Sequence, residues 1–444
     1  MAIFKAFKAV RYDAAKAGAT MGNLICPPYD VIDAKMQDEL YGKNEYNVVR
    51  VEFGKQNADD KAGSDRYSRA AKTFAEWLKA GVLKPEKKES FYIYEQTFDI
   101  ASGGASRSKV VTRRGLLGAI KLEPFGTGCV HPHEETFGAP KADRLALMKA
   151  CEANFSPVFG LVPDEDEAMT KLLAKGVTLK KADVEFKQDN GIVEKLWVID
   201  DETWCAQMSE QLKPRHVFIA DGHHRYETAC NYRDERRKAE NDPTGAQGAD
   251  YNYGLMMLVP MSDPGLYILP THRLIQTAPG LSKQGFLAES AALFEARDAT
   301  EQELLNVAEE EEGPAKFGVI FNGGSRKILT ARPQVADAMA KAAPKKSEAW
   351  RGLDVSVLQE LVLKGMLRLS EEKVLRKEGI SYTPDARAAL QRVTDSSGAY
   401  VMGFILRPTL IEQVSAVAGA GEKMPQKSTF FYPKLLTGLA IRKL

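Results

Sequence analysis

The stretch HVFIADGHHRYETA, residues 216–229, carries the strongest structural signal in the chain. Residues 216–220 predict a short buried strand because 217–220 are apolar, and a helix is predicted from residue 223 to about 237. Between them, Asp221 is predicted to cap the helix, and Gly222 permits a tight turn or the close approach of a ligand. The first N–H groups of a helix lack partners and carry partial positive charge, so this junction predicts an anion site.

The residues around this glycine suit a phosphate. His223, His224 and Arg225 add donors in the first helical turn, and the planar Arg225 guanidinium can hold phosphate oxygens with two bonds. The carboxylate of Asp221 or Glu227 could act as a general base toward a hydroxyl, or help to hold Mg²⁺.

Two other interpretations of the turn stay open. It could be a capped helix whose basic residues face solvent and bind nothing. It could also be a zinc site, since neutral imidazoles bind zinc, although neighbouring helical residues point about 100° apart, so that His223 and His224 cannot both be simple ligands from one face. The complete string, placed directly after a buried strand, favours the anion site.

The composition is that of an ordinary globular protein of 444 residues, and all six histidines lie between His131 and His272. Lys and Arg number 61 against 60 Asp and Glu, a net charge of +1, which argues against nucleic-acid binding as the main function. No apolar run approaches the ~18–20 residues of a membrane helix, and the N-terminus lacks a signal-peptide core. The five cysteines are scattered without a CxxC pair. We therefore expect a cytoplasmic protein with reduced thiols and no membrane partner.

Strand-like and helical segments alternate along the chain, which predicts an α+β (mixed α/β) fold. Strand pairs are predicted at 91–98 with 115–122 and, around Asn322-Gly323-Gly324-Ser325, at 316–321 with 327–330. Helices are predicted at 65–79, ending at Gly81, and at 141–151 and 354–367. Three interlocked regions are expected: an N-terminal α+β region over 1–200, a core over 201–290 that carries the turn, and a C-terminal α+β region over 291–444.

Residues 131–136, HPHEET, form a second segment of interest. Glu134 is a candidate metal ligand there, and Arg144 a little further along is a candidate phosphate contact. A plain loop with a helix cap and a surface pair between Asp143 and Arg144 explains the same residues equally well.

Two more segments add candidates. In residues 424–434, MPQKSTFFYPK, Lys427 with its neighbouring hydroxyls could hold a phosphate, although the glycine-rich lead of a P-loop is absent. A strand ending in a proline turn is the alternative. In residues 26–32, CPPYDVI, a packed N-terminal corner is the preferred interpretation, but Tyr29 and Asp30 could line a pocket.

Taken together, several strings spread over nearly the whole chain resemble a bacterial and archaeal family known as domain of unknown function 1015: CPPYDVI, PHEETFGAPKADRL, ANFSPVFGL, VFIADGHHRYETA, ILPTHRL and MPQKSTFFYPK. The resemblance implies a ParB/sulfiredoxin-like nucleotide-binding core with large elaborations. In that fold a Gly-x-x-Arg turn after a strand binds nucleotide phosphates. Residues 222–225 match this turn, so the resemblance implies phosphate contacts for Gly222, His223, His224 and Arg225.

Relatives of that fold include a free-serine kinase, sulfiredoxins and the CTP-hydrolysing ParB proteins. The turn has no cysteine, which removes sulfiredoxin's thiol chemistry, and no basic helix-turn-helix module of the ParB type is found. The resemblance therefore implies an enzyme that uses ATP or another nucleotide, with Mg²⁺, to phosphorylate a small hydroxyl substrate, and analogy suggests serine or phosphoserine.

In this hypothesis Asp221 or Glu227 is the base or metal holder, while Glu134, Asp143, Arg144 and Lys427 are secondary candidates. One alternative is a phosphoserine phosphatase-like hydrolase with His223 or His224 as nucleophile or acid. The other is a ParB-like nucleotide-binding regulatory protein. The partners expected are a nucleotide and a small-molecule substrate, and the sequence predicts no oligomeric state.

Overall fold

The computed structural model describes residues 1–105, 107–136, 138–245, 248–276, 282–376, 378–395 and 398–444. Its strands are β1 Phe4–Lys5, β2 Val10–Tyr12, β3 Leu83–Pro85, β4 Phe91–Asp99, β5 Val110–Lys121, β6 Val130–His131, β7 Ala153–Asn154, β8 Val158–Val162, β9 Val184–Lys187, β10 Val193–Ile199, β11 Val217–Asp221, β12 Tyr253–Pro260, β13 Tyr267–Leu269, β14 His272–Ile275, β15 Phe294–Asp298, β16 Lys316–Phe321, β17 Arg326–Ala331, β18 Ile380–Thr383, β19 Met402–Ile405, β20 Phe430–Tyr432 and β21 Arg442–Lys443.

The α-helices are α1 Ala14–Ala17, α2 Met21–Leu24, α3 Ala34–Lys43, α4 Val49–Glu52, α5 Arg66–Ala80, α6 Gly138–Cys151, α7 Ala168–Thr178, α8 Glu202–Leu212, α9 His223–Ala239, α10 Lys283–Ser290, α11 Glu301–Val307, α12 Gln334–Ala342, α13 Glu348–Arg351, α14 Asp354–Val357, α15 Glu371–Leu375, α16 Ala386–Asp395 and α17 Ile411–Gly419. Short 3-10 helices span Tyr29–Val31, Ile100–Gly103 and Asp250–Asn252, and a π-helix spans Leu358–Met366. No helix within the described ranges combines the length and the apolar composition needed to cross a bilayer.

The larger sheet positions the turn identified in the sequence. Within the described residues its strands follow the order β6-β11-β8-β12-β5-β4-β10-β9, with β1 also paired to β5. Strand β11 runs parallel to β6 and antiparallel to β8. Its alternate side chains enter two different hydrophobic clusters: Val217 and Ile219 pack with α8 and α9, and Phe218 and Ala220 pack on the opposite face. Because both faces are covered, residues 217–220 of the strand are all apolar.

The second sheet lies almost entirely in the C-terminal part of the chain. Its order is β15-β17-β16-β19-β14-β18, and its buried side chains share a cluster with one face of the larger sheet. The mixed α+β class is therefore confirmed. Strands from residues 4–199 and from residues 217–260 pair within the one larger sheet, and the three region boundaries stay a prediction.

Local sequence signals account for several elements. The helix predicted at 65–79 is α5, with Asp65 accepting bonds from Tyr67 and Ser68 N–H groups and with Gly81 ending it at φ 71°. The two predicted strand pairs form as β4 with β5 and β16 with β17, both antiparallel. The helix predicted at 354–367 starts as α14 but widens into the π-helix, a change that the apolar spacing does not reveal.

Candidate functional site

The turn between β11 and α9 has a left-handed glycine at its centre. Gly222 is the N-cap residue, with φ 90° and ψ 28°, and α9 begins at His223. Glycine is required here for two reasons: the backbone angle disfavours other residues, and a Cβ atom would lie 2.9 Å from the Arg225 guanidinium carbon. The expectation that Asp221 caps the helix is wrong, because no side chain caps α9.

The Asp221 carboxylate instead binds two cations. Arg225 donates from Nη2 to Oδ2 at 2.7 Å, and Lys434 donates from Nζ to Oδ1 at 2.7 Å. Burial favours the neutral acid, but Lys434 and then Arg225 hold the pKa of Asp221 well below its ordinary value. Asp221 is therefore a permanent carboxylate that fixes its neighbours, and it is a poor proton acceptor at neutral pH.

Arg225 lies beneath the turn. Its Nη1 donates to the carbonyl oxygen of Pro157, and its side chain is 9% exposed. Burial alone would lower the pKa of Arg225, but the carboxylate of Asp221 raises it above the ordinary value. Arg225 thus supports the turn from inside the protein, and its contact with a ligand phosphate stays a prediction.

His133 and His223 form a buried pair with their ring planes at 85° and their centroids 4.6 Å apart. The Nδ1 of His133 lies 2.6 Å from the carbonyl oxygen of Ile219, which can only accept, so Nδ1 carries the proton. Its Nε2 then accepts from the Thr429 hydroxyl at 3.1 Å. The backbone N–H of His133 donates a hydrogen bond to the Nε2 of His223 at 3.2 Å.

Burial lowers the pKa of both rings, most strongly for His223. A neutral His223, 2% exposed with Nε2 already occupied, is held away from solvent. It therefore positions the start of α9, and this location does not favour it as a nucleophile.

The solvent side of the turn carries a different group of residues. Burial lowers the pKa of half-buried His224, while the carboxylates of Glu134 and Asp30 oppose that change. Lys427 is exposed, and its charge acts on both Asp221 and His224. The Lys427 ammonium has no hydrogen bond or ion pair with the residues that the structure describes. Two carboxylates, an imidazole and an available ammonium thus lie near the first turn of α9.

Glu227 faces the first turn of α6 and the loop that precedes it. Lys141 donates to its Oε1 at 2.8 Å, and the Thr136 hydroxyl donates to its Oε2. Burial would raise the pKa of Glu227, but the bond from Lys141 and the one from Thr136 leave it lowered overall. Its two oxygens connect α9 to α6 and to this loop, so the geometry gives Glu227 a positioning role.

Arg144 belongs to an internal network. It donates to Asp143 from Nε at 2.7 Å and to the Glu52 carbonyl from Nη1 at 2.8 Å, and its guanidinium lies 4.1 Å from the centre of the Tyr29 ring. Asp143 in turn accepts from the Tyr67 hydroxyl at 2.6 Å. Arg144 is 6% exposed, so it braces the CPPYD segment and is not at the solvent side of the turn.

The predicted Mg²⁺ ligands do not form an all-protein metal site. No cluster of three or more His, Cys, Asp or Glu side chains suitable for a metal occurs among the described residues. Both oxygens of Asp221 are bound to cations, and Glu134 is the remaining candidate. Mg²⁺ commonly binds through one or two carboxylates together with substrate phosphates. Glu134 therefore suits a Mg²⁺ ion that arrives bound to a nucleotide.

Sequence reasoning underestimated two residues. Lys434 has no predicted role beyond its place at the end of the C-terminal string, yet it binds Asp221 from 213 positions away. Asp30 was considered only as a pocket wall. A cleft of about 510 Å³ opens between its neighbours Pro27 and Val31 and the C-terminal residues Phe430, Tyr432 and Lys434. The sequence signal that could have paired these segments is that prolines lie next to a tyrosine in both CPPYDVI and MPQKSTFFYPK.

The fold and site define a mixed α+β protein with a left-handed glycine at the junction between a buried strand and a helix. The chain belongs to the family described as Protein of unknown function (DUF1015), whose model matches residues 4–356. The resemblance to that family is thereby confirmed. No curated protein matches the sequence.

Three solved structures illustrate what the chain is similar to. A conserved hypothetical protein from Pyrococcus furiosus is 13% identical, with 71% of this chain and 92% of that chain covered and a TM-score of 0.33. A free serine kinase variant in complex with ADP is 12% identical, with 68% and 83% covered and a TM-score of 0.31. SbnI with a C-terminal truncation, from Staphylococcus aureus, is 10% identical, with 71% and 84% covered and a TM-score of 0.33. Likeness at this level does not assign an activity to this chain.

Proposed function

We propose that this protein is a nucleotide-dependent phosphotransferase that acts on a small hydroxyl metabolite, with serine as the first substrate to test. The observation that carries the proposal is the sorting of charge at the Gly222 turn. Inside, the Asp221 carboxylate pairs with both Arg225 and Lys434, which leaves one positive charge in excess. Outside, the charges of Lys427 and Asp30 both act on His224 in the first turn of α9, and the partial positive charge of that helix N-terminus attracts phosphate.

Phosphate binding is the first requirement. The backbone N–H groups of the first turn of α9 supply donors, and the Lys427 ammonium supplies a full positive charge without a competing carboxylate bond among the described residues. The buried His133–His223 pair and the Asp221 clamp hold this turn in place, so little reorganisation is needed when phosphate arrives.

The general base is the second requirement. Asp221 and Glu227 were the predicted candidates, but each is bound by a lysine and one further donor, and the pKa of each lies below its ordinary value. We assign the role to Asp30, which is exposed beside the cleft and whose charge reaches His224 and Arg225. Asp30 accepts the substrate hydroxyl proton, the substrate oxygen forms the new O–P bond, and the nucleotide's bridging oxygen leaves with the electron pair of the broken bond.

The experiment is a product assay with ATP or ADP and serine in the presence of Mg²⁺, read by phosphoserine formation. We expect Asp30→Asn to lower the rate at least 100-fold while nucleotide binding is kept, since general acid–base catalysis contributes about 10²–10⁴-fold. Asp59→Asn is the matched control, because Asp59 is also exposed and lies in another loop. Equal activity of the two variants would refute the assignment of Asp30.

The same assay separates the hydrolase alternative. Phosphate release from phosphoserine without nucleotide would support a phosphomonoester hydrolase and contradict the kinase proposal. The buried location of His223 leaves His224 as the imidazole on the solvent side for such chemistry. Salt-sensitive DNA binding would instead support a ParB-like regulatory protein.

A further inference from the structure

A second groove lies beside the Gly222 site, on the C-terminal half of the chain. Its volume is about 460 Å³, within the range of small-molecule pockets. Its walls come from the end of α12, from α13, from the π-helix and from residues 423–426, and Glu135 of the HPHEET segment lies at its edge.

Lysines dominate the charge of this groove. Two of the four are paired: Lys364 Nζ lies 2.7 Å from Glu360 Oε2, and Lys423 Nζ lies 2.9 Å from Glu135 Oε2. Lys345 and Lys346 have no carboxylate partner among the described residues. Lys346 lies over the Trp350 ring at 5.2 Å from its centre. The groove therefore has an excess of two positive charges, which matches a dianion.

A buried acceptor also lacks a partner here. The side-chain oxygen of Gln426 is shielded from solvent and accepts no hydrogen bond from the described residues, although Gln426 lines the groove. An unpaired buried acceptor carries a desolvation cost, which a ligand hydroxyl or ammonium donor would remove once the side chain turns its oxygen into the groove. A ligand that satisfies both features has a dianionic group and a hydrogen-bond donor.

The groove walls are fixed before any ligand arrives. The Ser347 N–H donates to both oxygens of Glu422 at 3.1 Å, and Trp350 Nε1 donates to the Lys423 carbonyl at 2.9 Å. Met424 N–H donates to the His133 carbonyl at 2.8 Å, which joins this wall to the Gly222 site. A rigid wall reduces the ordering cost of binding.

The π-helix is an independent sign of function. It contributes Gln359, Glu360 and Lys364 to the groove. Departures from α-helical winding occur frequently at functional sites, because they re-aim side chains at a cost in regular hydrogen bonding.

We propose that this groove binds a phosphorylated small metabolite that carries a hydroxyl or ammonium group, with Lys345 and Lys346 holding the phosphate and Gln426 accepting from the donor group. The site is separate from the phosphate position at the start of α9. Binding here is an equilibrium property that needs no phosphoryl transfer, so it stands or fails independently of the proposed enzyme activity.

The test is calorimetric titration of the full chain with phosphoserine, inorganic pyrophosphate, ATP and succinate. We expect the double variant Lys345→Gln with Lys346→Gln to weaken phosphoserine binding at least tenfold. The matched control is Lys35→Gln with Lys72→Gln, which removes two exposed lysines with only long ion pairs of 3.8 and 3.9 Å and should change affinity less than twofold. Gln426→Leu should weaken phosphoserine at least threefold but leave pyrophosphate unchanged.

Three results would overturn the inference. The groove double variant could bind phosphoserine as tightly as the wild type, or succinate could bind as tightly as phosphoserine. Loss of binding in Lys427→Gln with binding kept in the groove variant would assign the ligand to the Gly222 turn alone. If Asp30→Asn loses turnover but keeps its phosphoserine affinity, the result assigns Asp30 to the enzyme activity and supports phosphoserine binding in the groove.

Discussion

Replacing Gly222 by alanine tests the architecture of the turn in a single substitution. A non-glycine residue in the left-handed region costs about 1–2 kcal/mol. The added Cβ would also lie 2.9 Å from Arg225 Cζ, so the guanidinium must move and weaken its bonds to Asp221 and the Pro157 carbonyl. Hydrogen bonds to charged groups contribute about 1.5–3 kcal/mol, so the total expected loss is roughly 3–5 kcal/mol.

The control for this substitution is Gly126→Ala. Gly126 has a similar backbone angle, φ 79°, but a Cβ atom there would meet nothing within 4 Å. Gly126→Ala should therefore lower the free energy of unfolding only by the backbone strain, about 1–2 kcal/mol. Urea unfolding of both variants measures the difference, which reports the displacement of Arg225. Equal losses for Gly222→Ala and Gly126→Ala would show that Arg225 does not occupy the space beneath the turn.

Three further substitutions test buried polar groups. Burial lowers the pKa of His272 from 6.5 to about 3, so between these pH values the unfolded chain binds a proton that the folded chain does not. The stability of the wild type should therefore fall as the pH drops from 6.5 toward 3, by at most about 1.4 kcal/mol per pH unit from this residue. Urea unfolding of His272→Asn should show a weaker dependence of stability on pH, and parallel pH profiles of the two proteins would contradict this. Lys434→Met should cost about 1.5–3 kcal/mol in urea unfolding, because it removes one charge-assisted bond to Asp221 while the bond from Arg225 remains. Loss of an exposed pair in Lys43→Met should cost under about 1 kcal/mol. Thr429→Val should lower the free energy of unfolding by about 1–3 kcal/mol, because it leaves His133 Nε2 unpaired. Thr429→Ser keeps the hydroxyl and should retain most of this stability. Equal losses in the two variants would argue against the Thr429–His133 hydrogen bond.

The parts of the fold that the sequence predicted are those set by near neighbours. The strand before Asp221 could be recognised because its apolar run is short and ends at Asp-Gly. Helix α5 could be recognised because its spacing, its Asp65 cap and its Gly81 end all agree. The two hairpins follow from turn residues between apolar runs. Each of these signals acts over a few residues.

The parts that sequence reasoning missed depend on distant contacts. The sequence predicts that Asp221 caps α9, but Lys434, 213 positions away, and Arg225 each bind one of its carboxylate oxygens, and α9 has no side-chain cap. Arg144 was a phosphate candidate, yet Glu52 and Asp143 hold it inside the protein. The winding of Leu358–Met366 is equally invisible in the apolar spacing.

The candidate site was found because one string placed glycine, imidazole and guanidinium groups at a helix start. What the sequence could not reveal was which of these groups face solvent. Burial separates His223 and Arg225, which brace the turn, from His224 and Lys427, which remain on its outer side. That division moves the expected base from Asp221 to Asp30.

The most direct test of phosphoryl transfer at the Gly222 turn is the product assay with the wild type, Asp30→Asn and Asp59→Asn side by side. We predict nucleotide-dependent formation of phosphoserine by the wild type and the Asp59 variant, with at least 100-fold less product from the Asp30 variant. Phosphate release from phosphoserine without nucleotide would contradict phosphoryl transfer at the Gly222 turn. A nucleotide affinity that stays unchanged in the double variant Lys427→Gln with Gly222→Ala would also contradict it.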